Sequence, residues 1–319
     1  MLGIYHSVDM DGIGSAALLK CCFPDIELIG VDYNQPVDWE AIKRHKGDDV
    51  FIVDFCYPWR DMEAINALCC LHWCDHHITS IEEMKCVKGT VWGVRTTEHS
   101  GIWCLWEYLS QRKWDGLLQL TSIDGRGYIP PVIELLSEYD CGRVNDMVLD
   151  FQYGIKLLSG LTFMDLLSWK ELFEGDITKQ RVLKRDGKVV KEAAITETLG
   201  HLKMYGHEVC FHKHLGVPED YKVMALNAPS SHDLAAQPFE VYPDYDIYFR
   251  YIKVPTGQWR YTLSQHPKHK GTFHAGEFCR RMRDESVATS GGGHEMIAGM
   301  LTDKLIFDVV GPLKGRNNG

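Results

Sequence analysis

Four short apolar runs separated by helical patterns open the chain, and three of them lead straight into a residue able to hold a proton or a metal ion. Leu2-Gly3-Ile4-Tyr5-His6 reads as a buried strand, followed by a helix of small and apolar residues from Gly12 to Cys22. Ile26 to Tyr33 reads as the next strand, and Asp38 caps a short amphipathic helix that reaches Arg44. Val50 to Val53 ends at Asp54, a helical stretch covers Trp59 to Leu71, and Leu71 to Cys74 leads into Asp75-His76-His77. This strand and helix spacing predicts βαβ units and a mostly parallel sheet. Ligands of such sheets gather at the carboxyl ends of the strands. The residues there are the first candidates for function.

Beyond this region, helical patterns start at Gly101, Pro131 and Asn145, and Arg185-Asp186-Gly187-Lys188 predicts a hairpin turn. Lys191 to Lys203 reads as a connecting helix, and strand signals return at Tyr221, Asp246 and Trp259. A length of 319 residues suits two domains, expected over 1–190 and 191–319. The fold class is therefore α/β: a parallel-sheet domain with flanking helices, then a smaller α/β domain ending in a Gly-rich segment.

Composition narrows the setting. No run approaches the ~18 apolar residues of a membrane span, and the first residues lack the basic and then apolar pattern of a secretory signal. The eleven cysteines include the adjacent pairs Cys21/Cys22 and Cys69/Cys70 in apolar segments, with no C-x-x-C pair. Buried, reduced thiols in a cytoplasmic protein are expected. A formal net charge of −10 is poorly suited to gripping a long polynucleotide. Locally the balance reverses: from Trp259 to Arg283 six Lys or Arg residues face the single acid Glu277. This stretch is either a solvated basic face or a local phosphate-binding surface.

Four clusters carry the chemistry. They are His6-Ser7-Val8-Asp9-Met10-Asp11-Gly12, Asp54, Asp75-His76-His77, and Asp140 at the end of a helical stretch. Carboxylate and imidazole donors without cysteine suit a hard-to-borderline divalent ion such as Mn²⁺. Two ions ~3.5–4 Å apart, bridged by one carboxylate, would polarise a phosphoryl group and acidify a water. Gly12 is expected to let the backbone come close to the ions.

H-x-x-D-x-D-G, an isolated Asp at a strand end, D-H-H and a later Asp together resemble the DHH phosphoesterase superfamily. Gly291-Gly292-Gly293-His294 with Ala298-Gly299 resembles the G-G-G-H-x-x-A-x-G signature of its DHHA1 domain. Among its members, the nanoRNases have this domain pair and length. The resemblance implies that His6 and Asp9 hold one ion, that Asp54 bridges, and that Asp11, His76 and Asp140 hold the second. It implies catalytic roles for Asp75 and His77, with His77 stabilising charge or protonating the leaving group. It also implies phosphate binding by Gly291, Gly292, Gly293 and His294, aided by Lys268, Lys270 and Arg280. Where the superfamily often has an arginine in an S-L-R-S stretch, this chain reads Thr262-Leu263-Ser264-Gln265. Lys268, Lys270 or Arg260 would have to substitute.

The expected activity is a two-metal phosphodiesterase on short single-stranded oligonucleotides or dinucleotides, using Mn²⁺ or else Mg²⁺ or Co²⁺. Hydrolysis of cyclic dinucleotides or 3′,5′-bisphosphate nucleotides is the alternative. A RecJ-like exonuclease, a pyrophosphatase and an inactive nucleotide sensor rank lower. The expected partner is a short nucleotide substrate, with no membrane, no stable complex with long nucleic acid, and room for a homodimer. Three weaker features complete the reading. His207, Cys210, His212 and His214 are spaced for zinc but read better as an ordinary strand or loop. Trp259 belongs to the core or stacks on a base. Thr97 to Ser100 line the site or, preferably, cap the following helix.

Overall fold

Four parallel strands organise the first of two compact units, Met1–Lys191 and Glu192–Gly319. The computed structural model describes residues 1–33, 35–112, 114, 129–157, 166–228, 237–293 and 295–313. Strands β1 (Leu2–His6), β2 (Glu27–Val31), β3 (Asp49–Val53) and β4 (Cys70–Cys74) lie in the order β2-β1-β3-β4. Every neighbouring pair is parallel.

Alternation along the strands explains the layers, since successive side chains leave opposite faces. Phe51, Val53 and Cys74 enter one core with Leu18, Leu19, Ile102, Leu105 and Leu136. Val50, Ile52, Leu71 and Trp73 enter the other with Ala41, Ile42, Met62 and Ile65. Full burial of each large aliphatic or aromatic side chain contributes roughly 1.5–3 kcal/mol. The connecting helices are α1 (Met10–Cys22), α2 (Trp39–Arg44) and α3 (Trp59–Leu68). Helix α4 (Ile78–Glu83) starts just after His77, and α5 (Gly101–Arg112) packs against α1.

Small residues bring α1 close to the sheet. Gly14, Ser15, Ala16 and Ala17 are all buried, and Asp9 caps the helix by accepting from Gly12 N at 3.1 Å. A Cβ on Gly12 would sit 1.8 Å from the carbonyl oxygen of His6. Gly12 therefore serves the close approach of α1 to the end of β1.

The predicted hairpin at Arg185–Lys188 is overturned. These residues lie inside one helix, Ile177–Tyr205, which also contains the expected connecting segment and the division between the units. Gly187 marks a helix crossing: a Cβ there would meet the Asp150 carbonyl at 1.8 Å, so only glycine admits the helix Asp146–Leu157 this closely. Lys191 closes the same crossing with ion pairs to Asp150 (2.6 Å) and Asp146 (3.0 Å).

The second unit holds a seven-stranded mixed sheet ordered β11-β5-β6-β7-β8-β10-β9. Its strands are β5 (His207–Phe211), β6 (Val223–Asn227), β7 (Ile247–Lys253), β8 (Trp259–Gln265), β9 (Ser290–Gly293), β10 (Ile297–Thr302) and β11 (Phe307–Pro312). Only β6 and β7 pair in parallel. The helix Ala275–Asp284 covers one face through Phe278, Cys279 and Met282, and Leu202, Phe239 and Tyr242 pack on the other. The Gly-rich segment is itself a strand, β9, at the sheet edge. Without side chains it shows no alternation, so the sequence pattern left it unassigned.

All eleven cysteines are free thiols, though Cys70, Cys86 and Cys210 are exposed rather than buried. Among the described residues no helix is long and apolar enough to cross a membrane.

Candidate metal centre

The carboxyl edge of the parallel sheet collects the predicted donors from four separate segments. His6 ends β1, Asp9 precedes α1, Asp54 follows β3, His76 follows β4, and Asp140 ends the helix Pro131–Asp140. Asp54 sits at the centre, only 1% exposed, with φ of +53°. Aspartate tolerates this left-handed conformation better than most residues, at a cost of about 1–3 kcal/mol. That backbone turn directs its two carboxylate oxygens to two different groups. Oδ2 lies 3.6 Å from His6 Nδ1, which is 2.8 Å from Asp9 Oδ2. Oδ1 lies 3.4 Å from His76 Nε2, which is 3.0 Å from Asp140 Oδ2.

These atoms are close but not aligned as hydrogen bonds. His6 Nδ1, Asp54 Oδ1, His76 Nε2 and Asp140 Oδ2 are all buried without a hydrogen-bond partner. A buried polar group left in this state costs about 1–3 kcal/mol. Donor atoms crowd within 4.8 Å of one another in the sets His6/Asp9/Asp54 and His76/Asp140/Cys141, and Asp54 meets His76 in a third set with His77; carboxylate and imidazole donors so placed suit divalent ions. Cys141, which sequence reasoning missed, has its sulfur within the second set.

The electrostatics express the same crowding. Burial opposes charge on His6, but the close carboxylates of Asp54 and Asp9 prevail and hold its imidazole up at about 10. His76 is raised further by Asp140 and Asp54, again against burial. Burial and the charge of Asp9 raise the Asp54 carboxyl, while His6 brings Asp9 down against its own burial. The raised imidazoles thus favour their charged forms beside the carboxylates.

Asp11 has a different position from its predicted companions. Its Oδ1 accepts from Ser100 Oγ (2.6 Å) and Ile102 N (3.0 Å), and its Oδ2 from Gly101 N (2.6 Å). The carboxylate therefore caps α5 from a helix about ninety residues earlier, and stands outside all three sets of crowded donors. The preferred local cap from Thr97 to Ser100 is replaced by this distant one, with Ser100 giving its hydroxyl proton to Asp11.

Asp75 and His77 form the next layer. Asp75 Oδ1 takes the backbone N–H of His76 (2.7 Å), that of His77 (3.2 Å) and His77 Nδ1 (2.8 Å). Burial opposes charge on the His77 imidazole, but Asp75 raises it. The Nε2 on the far side lies 3.2 Å from the hydroxyl of Tyr33. Tyr33 also tilts its ring against His6, 5.0 Å between centroids, and against Phe55. Neither Tyr33 nor its neighbour Asp32, 3.7 Å from His6 Nε2, was among the sequence candidates. Both follow β2, and applying the strand-end rule to that strand would have found them.

In the second unit the candidates are scattered. Gly291, Gly292 and Gly293 lie on β9, opposite Met300, Gly299 and Ala298 of β10. Arg280 donates to the Gly293 carbonyl at 3.1 Å. Lys268 is paired with Asp246 at 2.8 Å, and Lys270 is exposed in the turn after Pro267. His294 lies outside the described residues. His207 bonds Tyr205 O and the Tyr251 hydroxyl, and with Cys210, His212 and His214 forms no common donor set among the described residues. Trp259 packs beside Tyr251, with the Lys253 ammonium over its ring.

Fold and site define a class: an α/β protein whose parallel sheet gathers aspartates and histidines of metal-ligand type at its carboxyl edge. No protein-family model matches the chain, and no curated protein matches it. Among solved structures it is similar to the pGpG-specific phosphodiesterase PggH from Vibrio cholerae, at 13% identity and a TM-score of 0.49, over 94% of this chain and 92% of that one. It is also similar to RecJ from Thermus thermophilus, solved with Mg²⁺, at 14% identity and a TM-score of 0.40; the match covers 95% of this chain and 47% of RecJ. CDC45 from Entamoeba histolytica is similar at 10% identity and a TM-score of 0.40, over 94% and 92% of the two chains. At such identities and TM-scores, function has to be read from the residues of the chain itself.

Proposed function

We propose that the first unit is the catalytic centre of a divalent-metal-dependent phosphodiesterase acting on short single-stranded oligonucleotides or dinucleotides. The observation that carries this reading is Asp54, a buried carboxylate in a left-handed turn with one oxygen toward each of two unaligned imidazole–carboxylate groups. His6 and Asp9 would hold one ion, His76 and Asp140 the other, with Asp54 shared.

Bound divalent ions, Mn²⁺ first and Mg²⁺ or Co²⁺ as alternatives, supply Lewis acidity at a phosphoryl group and acidify water. The residues prepare the rest. The carboxylates of Asp9, Asp54 and Asp140 would repel a phosphodiester, and bound dications would offset that field. Asp75 accepts from Nδ1 of His77 and thereby turns Nε2 toward the Tyr33 hydroxyl, 3.2 Å away. There the imidazolium, favoured by Asp75, can donate to a phosphoryl oxygen or give its proton to the departing oxygen. Tyr33 fixes the plane of that ring from the other side. The acidic overall charge and the local basic stretch from Trp259 to Arg283 favour a small anionic substrate. Gly291–Gly293, His294 and Arg280 of the second unit are proposed, as the resemblance implies, to bind phosphate.

Turnover of dinucleotides, longer single strands, cyclic dinucleotides, 3′,5′-bisphosphate nucleotides and pyrophosphate under Mn²⁺ tests the proposal. Highest kcat/KM on linear substrates of two to about five nucleotides is expected, because distant contacts position the reacting phosphate. Processive degradation of long strands at equal rate would overturn the substrate assignment. His294→Ala should raise KM and leave bound metal unchanged. Loss of metal in that variant would remove His294 from substrate binding.

A further inference from the structure

The opposite, amino edge of the same sheet carries a second donor set that the proposed reaction does not use. Asp49 opens β3 and Cys70 opens β4, and the two are register partners. His72 stands two residues beyond Cys70, so all three side chains leave one face of the sheet. Asp49 Oδ1 is 2.8 Å from His72 Nε2, and a carboxylate oxygen of Asp49, the Cys70 sulfur and a ring nitrogen of His72 all lie within 4.8 Å of one another.

We propose that Asp49, Cys70 and His72 form a separate zinc-type site, with solvent completing the coordination. Unlike the set His6/Asp9/Asp54 at the carboxyl edge, this one includes a thiol. Thiolate, imidazole and carboxylate together favour Zn²⁺ over Mn²⁺ or Mg²⁺. The ring of His72 is already held in place, stacked on Phe51 at 4.7 Å between centroids, with its Nδ1 2.6 Å from the Tyr108 hydroxyl. With Nδ1–H donated to Tyr108, Nε2 presents its lone pair to an ion, the outer-partner arrangement usual for metal-binding histidines. Cys70 is exposed and leaves one side of the set open to water.

The charges balance. His72 stays neutral: on loading, its proton moves from Nε2, where it faces Asp49, to Nδ1, where the Tyr108 hydroxyl accepts it. Loading replaces the Cys70 thiol proton, which leaves to solvent, so one divalent ion meets two negative ligands. Burial and Asp49 raise the Cys70 thiol, and the Arg112 guanidinium, 4.1 Å above the Trp92 ring, acts in the opposite sense. Metal uptake should therefore strengthen as pH rises. Without an ion, the same atoms make an Asp49–His72–Tyr108 hydrogen-bond chain.

This site stands independently of the phosphodiesterase reading, and Co²⁺ separates the two because a cobalt–thiolate bond adds a near-ultraviolet charge-transfer band. Titrating the metal-free full-length protein should produce the band, and Zn²⁺ should displace it. The band should vanish in Cys70→Ser and persist in Cys141→Ser, whose thiol lies at the other edge. Asp49→Asn, at a partly exposed position, should keep the fold and weaken Zn²⁺ competition by about tenfold or more. No band in the wild type, a band that survives Cys70→Ser, or one lost in Cys141→Ser instead would overturn the proposal.

Discussion

The two ends of the first sheet hold similar residues in opposite states. At the carboxyl edge His6, Asp54, His76 and Asp140 crowd together with buried atoms that no hydrogen bond satisfies. At the amino edge His72 has a partner on each ring nitrogen, Asp49 and Tyr108. The first arrangement is costly unless cations enter it; the second is closed by its own protons and loads an ion only by giving one up. Polar clusters on one scaffold are thus told apart by alignment, not by composition.

The largest expected effect separates the two edges by activity. Asp54→Asn keeps a side chain suited to the left-handed turn while removing the shared charge. It should lower kcat/KM by about 10³-fold or more, beyond the 10–100-fold usual for outer partners of a metal. It should also reduce bound Mn²⁺, measured by elemental analysis. Asp49→Asn should change Mn²⁺-supported turnover by no more than about twofold. Similar losses in both variants would erase the distinction.

A smaller effect tests the missed residue. Tyr33→Phe retains the ring against His6 and deletes the hydroxyl at His77 Nε2. Losing one such hydrogen bond is worth about 0.5–1.5 kcal/mol, so kcat/KM should fall by roughly two- to twelvefold at unchanged thermal stability. An equal fall in metal content would mean that Tyr33 supports the ligands rather than His77.

The mildest test is pH, read on metal-free protein by denaturant unfolding. His6 is raised from 6.5 to about 10, so the folded state binds its proton more tightly than the unfolded chain does. That contribution is fully present below about 6.5 and is lost as pH rises through about 10. His72 is lowered by burial, with Asp49 opposing, so its neutral form is favoured in the fold. Its contribution is lost on the acid side, as pH falls below about 6.5. His6→Gln should flatten the alkaline limb and His72→Gln the acid limb. The reverse pattern would contradict the assigned environments.

Much of this was legible without coordinates, and the exceptions share a cause. Short apolar runs marked β1, β3 and β4, and the donors at their ends followed from the parallel-sheet rule. Asp38 was legible as a cap because its partners, the backbone N–H groups of Glu40 and Ala41, are two and three residues away. Asp11 was not, because its partners lie on α5, far along the chain. Gly187 misled for the same reason: Arg-Asp-Gly-Lys resembles a turn locally, and only the backbone of a second helix explains its glycine.

By itself the sequence pointed to most of the carboxyl-edge donors and roughly to where the four parallel strands end, since both depend on residue type and short-range periodicity. Tertiary structure decided which of them meet. It placed Asp54 between two donor sets, withdrew Asp11 to cap α5, brought Tyr33 to His77, and set Asp49 beside Cys70 and His72. Each of these pairings depends on which strands and helices become neighbours. That choice is made by burial of both sheet faces, a property of the whole core that no short stretch of chain contains.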